Sequence, residues 1–166
     1  MRDVDLKSVC GKVLERIEEG AFLTVRAGDR VNTMTIGWAT LGVAWKQPVM
    51  MVMVRDSRHT FGIMEEATDF TVSVPSRDMK EEIAYCGTES GRDVDKFSEC
   101  QLATTNGRHV VSPIIESPGV HFECKIVYRS AIDPTRLTRS YDYLYPEKDY
   151  HTLYFGEIVA CYEIQV

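Results

Sequence analysis

Apolar and polar positions along the chain change their period near residue 20, which separates an N-terminal helix from a series of strands. Apolar residues three and four positions apart predict a helix from about Asp5 to Glu18, with Gly20 as its stop. Its apolar positions are Leu6, Val9, Val13 and Ile17. Beyond Gly20, strand-forming residues predict strands at 21–27, 31–45, 48–54, 69–75, 119–131 and 151–164.

Three of these strands carry more specific patterns. The run 48–54 is apolar at nearly every position, which predicts a strand covered on both faces. In the last strand, Gly156 predicts a bulge or a close approach of another part of the chain. The segment 119–131 alternates, which predicts one face made of Val120, Phe122, Cys124, Ile126 and Tyr128.

Two shorter helices are predicted among the strands, at residues 57–67 and 76–87. Ser57 and Ser76 are expected as their N-caps, and Gly87 as the stop of the second helix. Helices and strands do not alternate regularly, and no G-x-G-x-x-G motif follows the first strand, so a doubly wound Rossmann fold is disfavoured. The pattern favours a mainly β protein, a small antiparallel β-barrel with peripheral helices.

Composition and charge narrow the class of protein. The length of 166 residues suits one domain spanning 1–166, since no linker or repeat divides the chain. A net charge of −6 disfavours nucleic acid or an anionic membrane surface as a partner. No apolar run reaches the ~18 residues of a membrane span, and acidic residues occupy the N-terminus, so we expect a cytoplasmic protein. The five cysteines are widely spaced without a C-x-x-C pair, which predicts reduced thiols and no metal site.

Polar residues gather where the apolar run 48–54 ends, in the segment VRDSRHT. Guanidinium groups, hydroxyls and the free amides of a first helical turn together make an anion site. The same segment is typical of an ordinary helix cap with solvated arginines. The side chains concerned are Arg55, Ser57, Arg58, His59 and Thr60.

A second polar segment, NTMTIGW, interrupts the predicted strand 31–45. Asn32 and Thr35 offer hydrogen bonds for the rim of a planar heterocycle, and Met34 and Trp38 offer apolar surface for its face. A plain barrel strand, in which threonines serve as strand formers, is the alternative.

A third segment, CGTESGRDVDKF at 86–97, is polar and leads into a short predicted helix. Gly87 and Gly91 permit tight turns, and Lys96 supplies a cation that suits a phosphate. A surface loop with mixed charges is the alternative.

The order and spacing of these segments resemble the flavin reductase-like family, in particular the branch close to flavoredoxin, which is built on the FMN-binding split barrel. The resemblance runs from about Gly20 to Val159. It implies a six-stranded Greek-key barrel, a homodimer, and FMN bound near the subunit interface.

The resemblance also implies roles for individual residues. The flavin ring would be lined by Asn32, Met34, Thr35, Ile36 and Trp38. The ribityl-phosphate end would be held by Ser57, Arg58, His59 and Thr60, together with Ser90, Gly91, Arg92 and Lys96. Phe155 would cover part of the flavin or of the dimer contact. His151 would lie on the hydride-donor side, although many members have Gly-Asp-His where this chain has Lys148-Asp149-Tyr150-His151.

The implied activity is hydride transfer from NAD(P)H to bound FMN, followed by electron transfer to an acceptor that the sequence does not name. One alternative is a flavin-binding electron carrier that a partner protein reduces, without its own nicotinamide site. Another is a split-barrel module that binds no flavin. A redox role for Cys86, beside the glycine-bearing loop, is a separate hypothesis.

Overall fold

The structure, a computed structural model, describes residues 1–165, and its N-terminal helix forms as the apolar spacing predicts. Helix α1 spans Leu6–Glu19, and the Asp5 side chain caps it by accepting a 3.0 Å hydrogen bond from the amide of Lys7. Gly20 ends it with φ of +119°, a conformation that side chains other than glycine disfavour. The expected helix and its stop are therefore confirmed.

The strands form one large antiparallel sheet that does not close, and a two-stranded ribbon. They are β1 (Arg2–Asp3), β2 (Ala21–Ala27), β3 (Arg30–Ile36), β4 (Ala39–Ala44), β5 (Gln47–Arg55), β6 (Asp69–Pro75), β7 (Thr104–Thr105), β8 (Ile114–Ile115), β9 (Gly119–Ala131) and β10 (His151–Ile164). The large sheet has the order β3-β2-β6-β9-β10-β5-β4, β1 pairs with β10, and β7 pairs with β8. The mainly β architecture is confirmed.

The segment 31–45, predicted as one strand, forms two strands that are separated at Gly37 and Trp38. Strand β3 pairs with β2, whereas β4 pairs with β5. Because β3 and β4 end the path of the sheet, the two linking residues lie where the barrel is split. The sequence misses this division because both halves have strand composition.

The β5 and β9 patterns are confirmed only in part. Strand β5 alternates, with Val52 and Val54 buried but Met51 and Met53 half-buried, so its outer face is not fully covered. In β9, the predicted face is buried as far as Cys124, whereas Tyr128 is exposed. On the opposite face of β9, His121 and Glu123 are buried as well, because the loop before this strand hydrogen-bonds their side chains.

Gly156 lies at the predicted irregularity of the last strand. The register of β10 against β9 shifts between Phe155 and Gly156. A Cβ atom at Gly156 would lie 2.6 Å from Cβ of Cys124 and 2.7 Å from Cζ of Phe70. The glycine therefore permits the strand to pass directly over the core, and the expected close approach is confirmed.

The remaining helices are α2 (His59–Met64), α3 (Lys80–Thr88), α4 (Lys96–Glu99) and a 3-10 helix (Arg139–Leu144). In residues 1–165, no helix is long and apolar enough to cross a membrane.

The predicted N-caps of α2 and α3 are wrong. Arg58 occupies the N-cap of α2, and the Ser57 hydroxyl instead donates a 2.6 Å hydrogen bond to Oδ2 of Asp149. Met79 occupies the N-cap of α3, whereas the amide of Ser76 donates to the carbonyl of Pro118 at 2.8 Å. In both cases the serine hydrogen-bonds to a residue far away in the sequence and does not cap the helix that follows it.

Gly87 does not stop α3 but lies inside its last turn. A Cβ atom there would lie 3.4 Å from Cβ of Thr35, an ordinary contact, so neither the space nor the backbone conformation requires a glycine at this position.

Candidate functional site

Two adjoining cavities collect most of the side chains that the sequence singles out. The basic cavity, about 130 Å³, is lined by Asn32, Met34, Ser57, Arg58, His59, Thr60, Cys86, Glu89, Ser90, Gly91, Arg92 and Lys96. The aromatic cavity, about 180 Å³, is lined by Met34, Thr35, Ile36, Gly37, Trp38, Met53, Arg55, Arg58 and His151. Met34 and Arg58 border both cavities, so the two lie side by side.

Three cations line the basic cavity, and each is oriented by a backbone carbonyl. Lys96, which begins α4 and is only 3% exposed, donates from Nζ to the carbonyl of Cys86 at 2.7 Å. Arg58 donates to the carbonyl of Gly87 at 3.0 Å, and Arg92 donates to that of Ser57 at 3.2 Å. Within residues 1–165, none of the three forms an ion pair. Glu89 is the one carboxylate among the lining residues, and it pairs with none of the three, so the lining keeps an excess of positive charge that suits an anionic ligand.

The electrostatics of this cavity agree with an excess of positive charge. Burial lowers the pKa of Lys96, and the nearby Arg58 lowers it further, although neighbouring thiols act in the opposite direction. Burial, followed by the charge of Arg92, also lowers the pKa of His59, so this imidazole is neutral at pH 7. A bound anion would favour the charged forms of both groups.

Gly91 provides space in the basic cavity. A Cβ atom at this position would collide with Oδ1 of Asn32 and would lie 3.0 Å from Cδ2 of His59. The expectation that Gly91 serves a tight turn is not needed, because the absence of a side chain is sufficient to explain it. Beside it, Asn32 Nδ2 donates a buried 2.8 Å hydrogen bond to Oγ1 of Thr60, which joins β3 to the first turn of α2.

The aromatic cavity lies where the sheet is split, between β3, β5 and β10. Trp38 is 40% exposed, and its ring centroid lies 5.0 Å from that of His151. Thr35 donates its hydroxyl to the carbonyl of Ile83 in α3, so this hydroxyl anchors the helix. The cavity thus combines an accessible aromatic surface with a few polar groups at its rim.

His151 is held from behind by Tyr145, whose hydroxyl oxygen lies 2.9 Å from Nδ1 of the imidazole. Burial lowers the pKa of His151 to about 4, and the positive charge of Arg55 contributes to the shift. The Arg55 guanidinium donates to the carbonyls of Leu144 and Asp149 at 3.1 and 2.6 Å. His151 is therefore a neutral side chain in a fixed position.

Phe155 alone among the predicted residues lines neither cavity. It packs in an aromatic cluster on the outer surface, with ring centroids 6.0 Å from Trp45 and 5.7 Å from Tyr128. Trp45 is 62% exposed and Tyr128 is 50% exposed. Phe155 therefore lies beside an exposed apolar surface, and its expected contact with the flavin or with a second subunit stays a prediction.

Sequence reasoning missed Gly37, Met53, Glu89 and Tyr145, and it placed Cys86 outside the binding residues. The clearest available signal was the density of tyrosines between 141 and 150. Arg55 was noted as part of an anion site, but it lies in the aromatic cavity.

The chain is similar to proteins of known fold and to curated relatives. The model of the flavin reductase like domain matches residues 19–165. An uncharacterized protein of Archaeoglobus fulgidus is 25% identical over 83% of this chain, which spans 68% of that protein.

Two solved structures have a comparable fold. The FMN-binding protein of Thermus thermophilus with bound 1-cyclohex-2-enone is 26% identical, with a TM-score of 0.69 over 87% of this chain and 69% of that chain. Flavoredoxin of Methanosarcina acetivorans is 25% identical, with a TM-score of 0.70 over 88% of this chain and 68% of that chain. Since the family model covers most of the sequence, the chain belongs to the flavin reductase like domain family.

Proposed function

We propose that this protein is an FMN-dependent oxidoreductase of the flavin reductase kind, which accepts a hydride from NAD(P)H on bound FMN and passes electrons to an acceptor. The observation that carries the proposal is the adjacency of the two cavities. A site with three cations and a single carboxylate, Glu89, adjoins an accessible aromatic site, and Arg58 borders both. FMN has the same division, with a phosphate at one end and a planar ring at the other.

The basic cavity fits the phosphate. A phosphate monoester carries close to two negative charges near pH 7, and Arg58, Arg92 and Lys96 supply positive charge at this position. Ser57, Ser90 and Thr60 provide hydroxyls around them. Because Lys96 is already buried, part of its desolvation cost is met during folding, so it is preorganised for an anion.

The aromatic cavity fits the flat ring. Met34, Ile36 and Trp38 give it apolar walls, and backbone groups at the split in the sheet give it a polar rim. When bound, FMN supplies hydride acceptance and electron transfer. The protein's own contribution is to hold the ring, to exclude water from one face and to leave the other face open for the donor.

The similar proteins support this assignment at different levels. The Thermus thermophilus relative binds FMN and a small carbonyl compound, which supports a small-molecule acceptor. Flavoredoxin similarity supports the second candidate, an electron carrier that a partner protein reduces. The two candidates share the cofactor and differ only in the source of the electrons.

We further propose a homodimer, in which the exposed aromatic cluster of Trp45, Tyr128 and Phe155 lies in the subunit contact. Three clustered aromatic rings at the surface suit an interface. Light scattering of the protein and of a Trp45→Ser variant checks this, since the dimer is expected to weaken in the variant. A monomeric wild type would contradict the proposal.

The first experiment is to record the visible spectrum of FMN-loaded protein before and after anaerobic addition of NADH or NADPH. Bleaching of the flavin bands by one donor at a rate compatible with turnover supports the reductase. A flavin spectrum that persists with both donors supports the electron carrier. Failure to bind FMN at all contradicts both candidates and favours a split-barrel module without flavin.

A further inference from the structure

We propose that Tyr145 fixes the tautomer of His151, so that the imidazole presents its Nε2–H group to a carbonyl or carboxamide oxygen of a ligand in the aromatic cavity. Tyr145 is a positioning residue in this arrangement, because it contacts the histidine rather than the cavity. His151 lines the cavity and is the group that meets the ligand. The family resemblance places His151 on the hydride-donor side, but it implies no tautomer for this imidazole and no role for Tyr145.

The direction of the hydrogen bond follows from the partners of the tyrosine. Tyr145 is 5% exposed, and its hydroxyl lies 2.9 Å from Nδ1 of His151. In the described part of the chain, this hydroxyl has no second hydrogen-bond partner. If Nδ1 carried the proton, the buried hydroxyl hydrogen would have no acceptor, which is costly. The hydroxyl therefore donates, Nδ1 accepts, and the single proton of the neutral imidazole lies on Nε2.

Protonation of either group does not disturb this assignment near neutral pH. Burial raises the pKa of Tyr145, so its hydroxyl remains protonated. The pKa of His151, lowered to about 4, keeps the imidazole neutral. The charged groups around the histidine are Arg55 and Arg58, which oppose its protonation, and Asp149, which favours it.

The segment that carries Tyr145 is fixed to the sheet at several points. Arg55 donates to the carbonyls of Leu144 and Asp149, and its guanidinium carbon lies 5.0 Å from the Tyr145 ring centroid. The Tyr145 ring also stacks on Tyr150, with centroids 4.8 Å apart. The side chain of Asp149 accepts from the amide and the hydroxyl of Ser57. These contacts remove freedom from the tyrosine, so the orientation of the imidazole is decided before a ligand arrives.

A neutral N–H donor beside an aromatic wall selects the chemistry of its partner. It suits an uncharged acceptor such as a carbonyl or carboxamide oxygen on a flat ring, whose face can pack near Trp38. The proposed function suggests two such ligands, the nicotinamide of a hydride donor and a carbonyl acceptor, and their identification rests on it. The assignment of the tautomer does not depend on the proposed function.

The tautomer is tested by nitrogen-15 NMR of the histidine side chains at pH 7.5, in the protein without added flavin. The expected result is a protonated, pyrrole-type shift for Nε2 and an unprotonated, pyridine-type shift for Nδ1 of His151. The opposite pair of shifts, or averaged shifts in the wild type, would overturn the proposal. This measurement does not require flavin binding, so it tests the tautomer even if the proposed function is wrong.

Tyr145→Phe keeps the ring that packs near Arg55 and removes only the hydroxyl. We expect the His151 shifts to become averaged between the two tautomers in this variant. Tyr143→Phe is the matched control, because Tyr143 is 73% exposed in the same segment and should leave the shifts unchanged. Unchanged His151 shifts in folded Tyr145→Phe would show that the hydroxyl does not set the tautomer.

The ligand is tested with benzamide, which has the carboxamide of nicotinamide without the ring nitrogen, and with toluene, which has no hydrogen-bond acceptor, as probes of FMN-loaded protein. Benzamide should perturb the Nε2 shift of His151 by hydrogen bonding, and toluene should not. Loss of one neutral hydrogen bond predicts about threefold to tenfold weaker benzamide binding in Tyr145→Phe. Equal binding by wild type and Tyr145→Phe, or equal shifts with both probes, would refute a carbonyl ligand at Nε2.

Discussion

Two regions of this protein contain buried charged side chains, and the groups that compensate the charge differ between them. In the carboxylate cluster, defined by Asp69 and Glu123, acidic side chains lie under the loop that precedes β9. In the basic cavity, the buried Lys96, the half-buried Arg58 and the exposed Arg92 surround an open space. Burial of an ionised group such as Glu123 or Lys96 is costly unless hydrogen bonds or an opposite charge compensate.

The carboxylate cluster compensates its charge entirely within the protein. Glu123, which is fully buried, accepts from the amides of Arg108 and His109 at 2.8 and 2.7 Å, and from the hydroxyl of Tyr162 at 2.8 Å. Asp69 accepts from the amide of Ser112 at 2.9 Å. Both carboxylates thereby tie the loop to the barrel.

The basic cavity compensates its charge only in part. Each cation donates a hydrogen bond to a backbone carbonyl oxygen, but in the described residues no carboxylate forms an ion pair with any of the three. A buried charge whose hydrogen bonds are complete stabilises the fold, whereas a charge that still needs an anion is prepared for binding. The contrast predicts that substitutions in the first region change stability and that substitutions in the second change affinity.

The largest effect is expected for Glu123→Gln. The two carboxylate oxygens accept from different backbone amides, so the NH2 group of glutamine necessarily faces the N–H of either His109 or Arg108. The loop loses that hydrogen bond and the charge that strengthens the others, worth about 3 kcal/mol in unfolding free energy. Urea unfolding measures the loss, and the exposed Glu116→Gln is the control. The FMN affinity of the folded variant should remain within about twofold of wild type. A loss below about 1 kcal/mol would remove the distinction between the two regions.

The next effect concerns Lys96→Met, which keeps the chain length and removes the charge. FMN affinity should fall by about one to two decades, since a charged hydrogen bond to the phosphate is lost. Riboflavin, which lacks the phosphate, should bind both proteins equally. The unfolding free energy without flavin should change by only about 1 kcal/mol, because a desolvated cation is removed together with its hydrogen bond.

Fluorescence titration provides both affinities in the Lys96 experiment. Lys12→Met, on the exposed face of α1, controls for net charge. If Lys96→Met weakened riboflavin binding as much as FMN binding, the cavity would not be a phosphate site.

The smallest effect is a pH dependence of the unfolding free energy, which we assign to His121, a buried neighbour of Glu123 on β9. Burial lowers the pKa of His121 to about 4, while an unfolded imidazole titrates near 6.5. Between these values the unfolded state binds more protons, so stability is lost as pH falls from about 6.5 towards 4. For this single histidine the loss at pH 5 is about 2 kcal/mol.

Urea unfolding at pH 7.5 and pH 5 tests this prediction. The decrease between the two pH values should be larger in wild type than in His121→Gln, by about the 2 kcal/mol assigned to this residue. Equal decreases in the two proteins would show that His121 is protonated without penalty in the folded state.

The local elements of the fold were accessible from sequence because they depend on neighbouring residues. The helix α1 between Asp5 and Gly20 and the close approach at Gly156 are examples, since spacing and a glycine suffice to indicate them. The caps at Ser57 and Ser76 failed for the opposite reason. Asp149 and Pro118, both distant along the chain, supply the hydrogen bonds that these serines make.

In the candidate site, too, features that depend on neighbouring residues were predicted and features that depend on distant residues were missed. Segments around Asn32, Arg58 and Lys96 were recognisable because each concentrates polar groups at the end of an element, and the family pattern orders them. Tyr145 was missed because its importance depends on one hydrogen bond to His151 that forms only when the loop folds back on β10. The aromatic neighbours of Phe155, Trp45 and Tyr128, were not predicted, because strand position alone does not tell which side chains from other strands meet on one face.

The sequence by itself determined the main helices and strands, the family and the chemical groups available for a phosphate and a flat ring. Those properties follow from periodicity, composition and the order of motifs along the chain. The tertiary structure alone decided that β3 and β4 lie at opposite ends of the sheet, that three cations line one cavity, and that the Tyr145 hydroxyl lies 2.9 Å from the His151 imidazole. These features depend on distances between residues far apart in the chain, and such distances exist only after the core has packed.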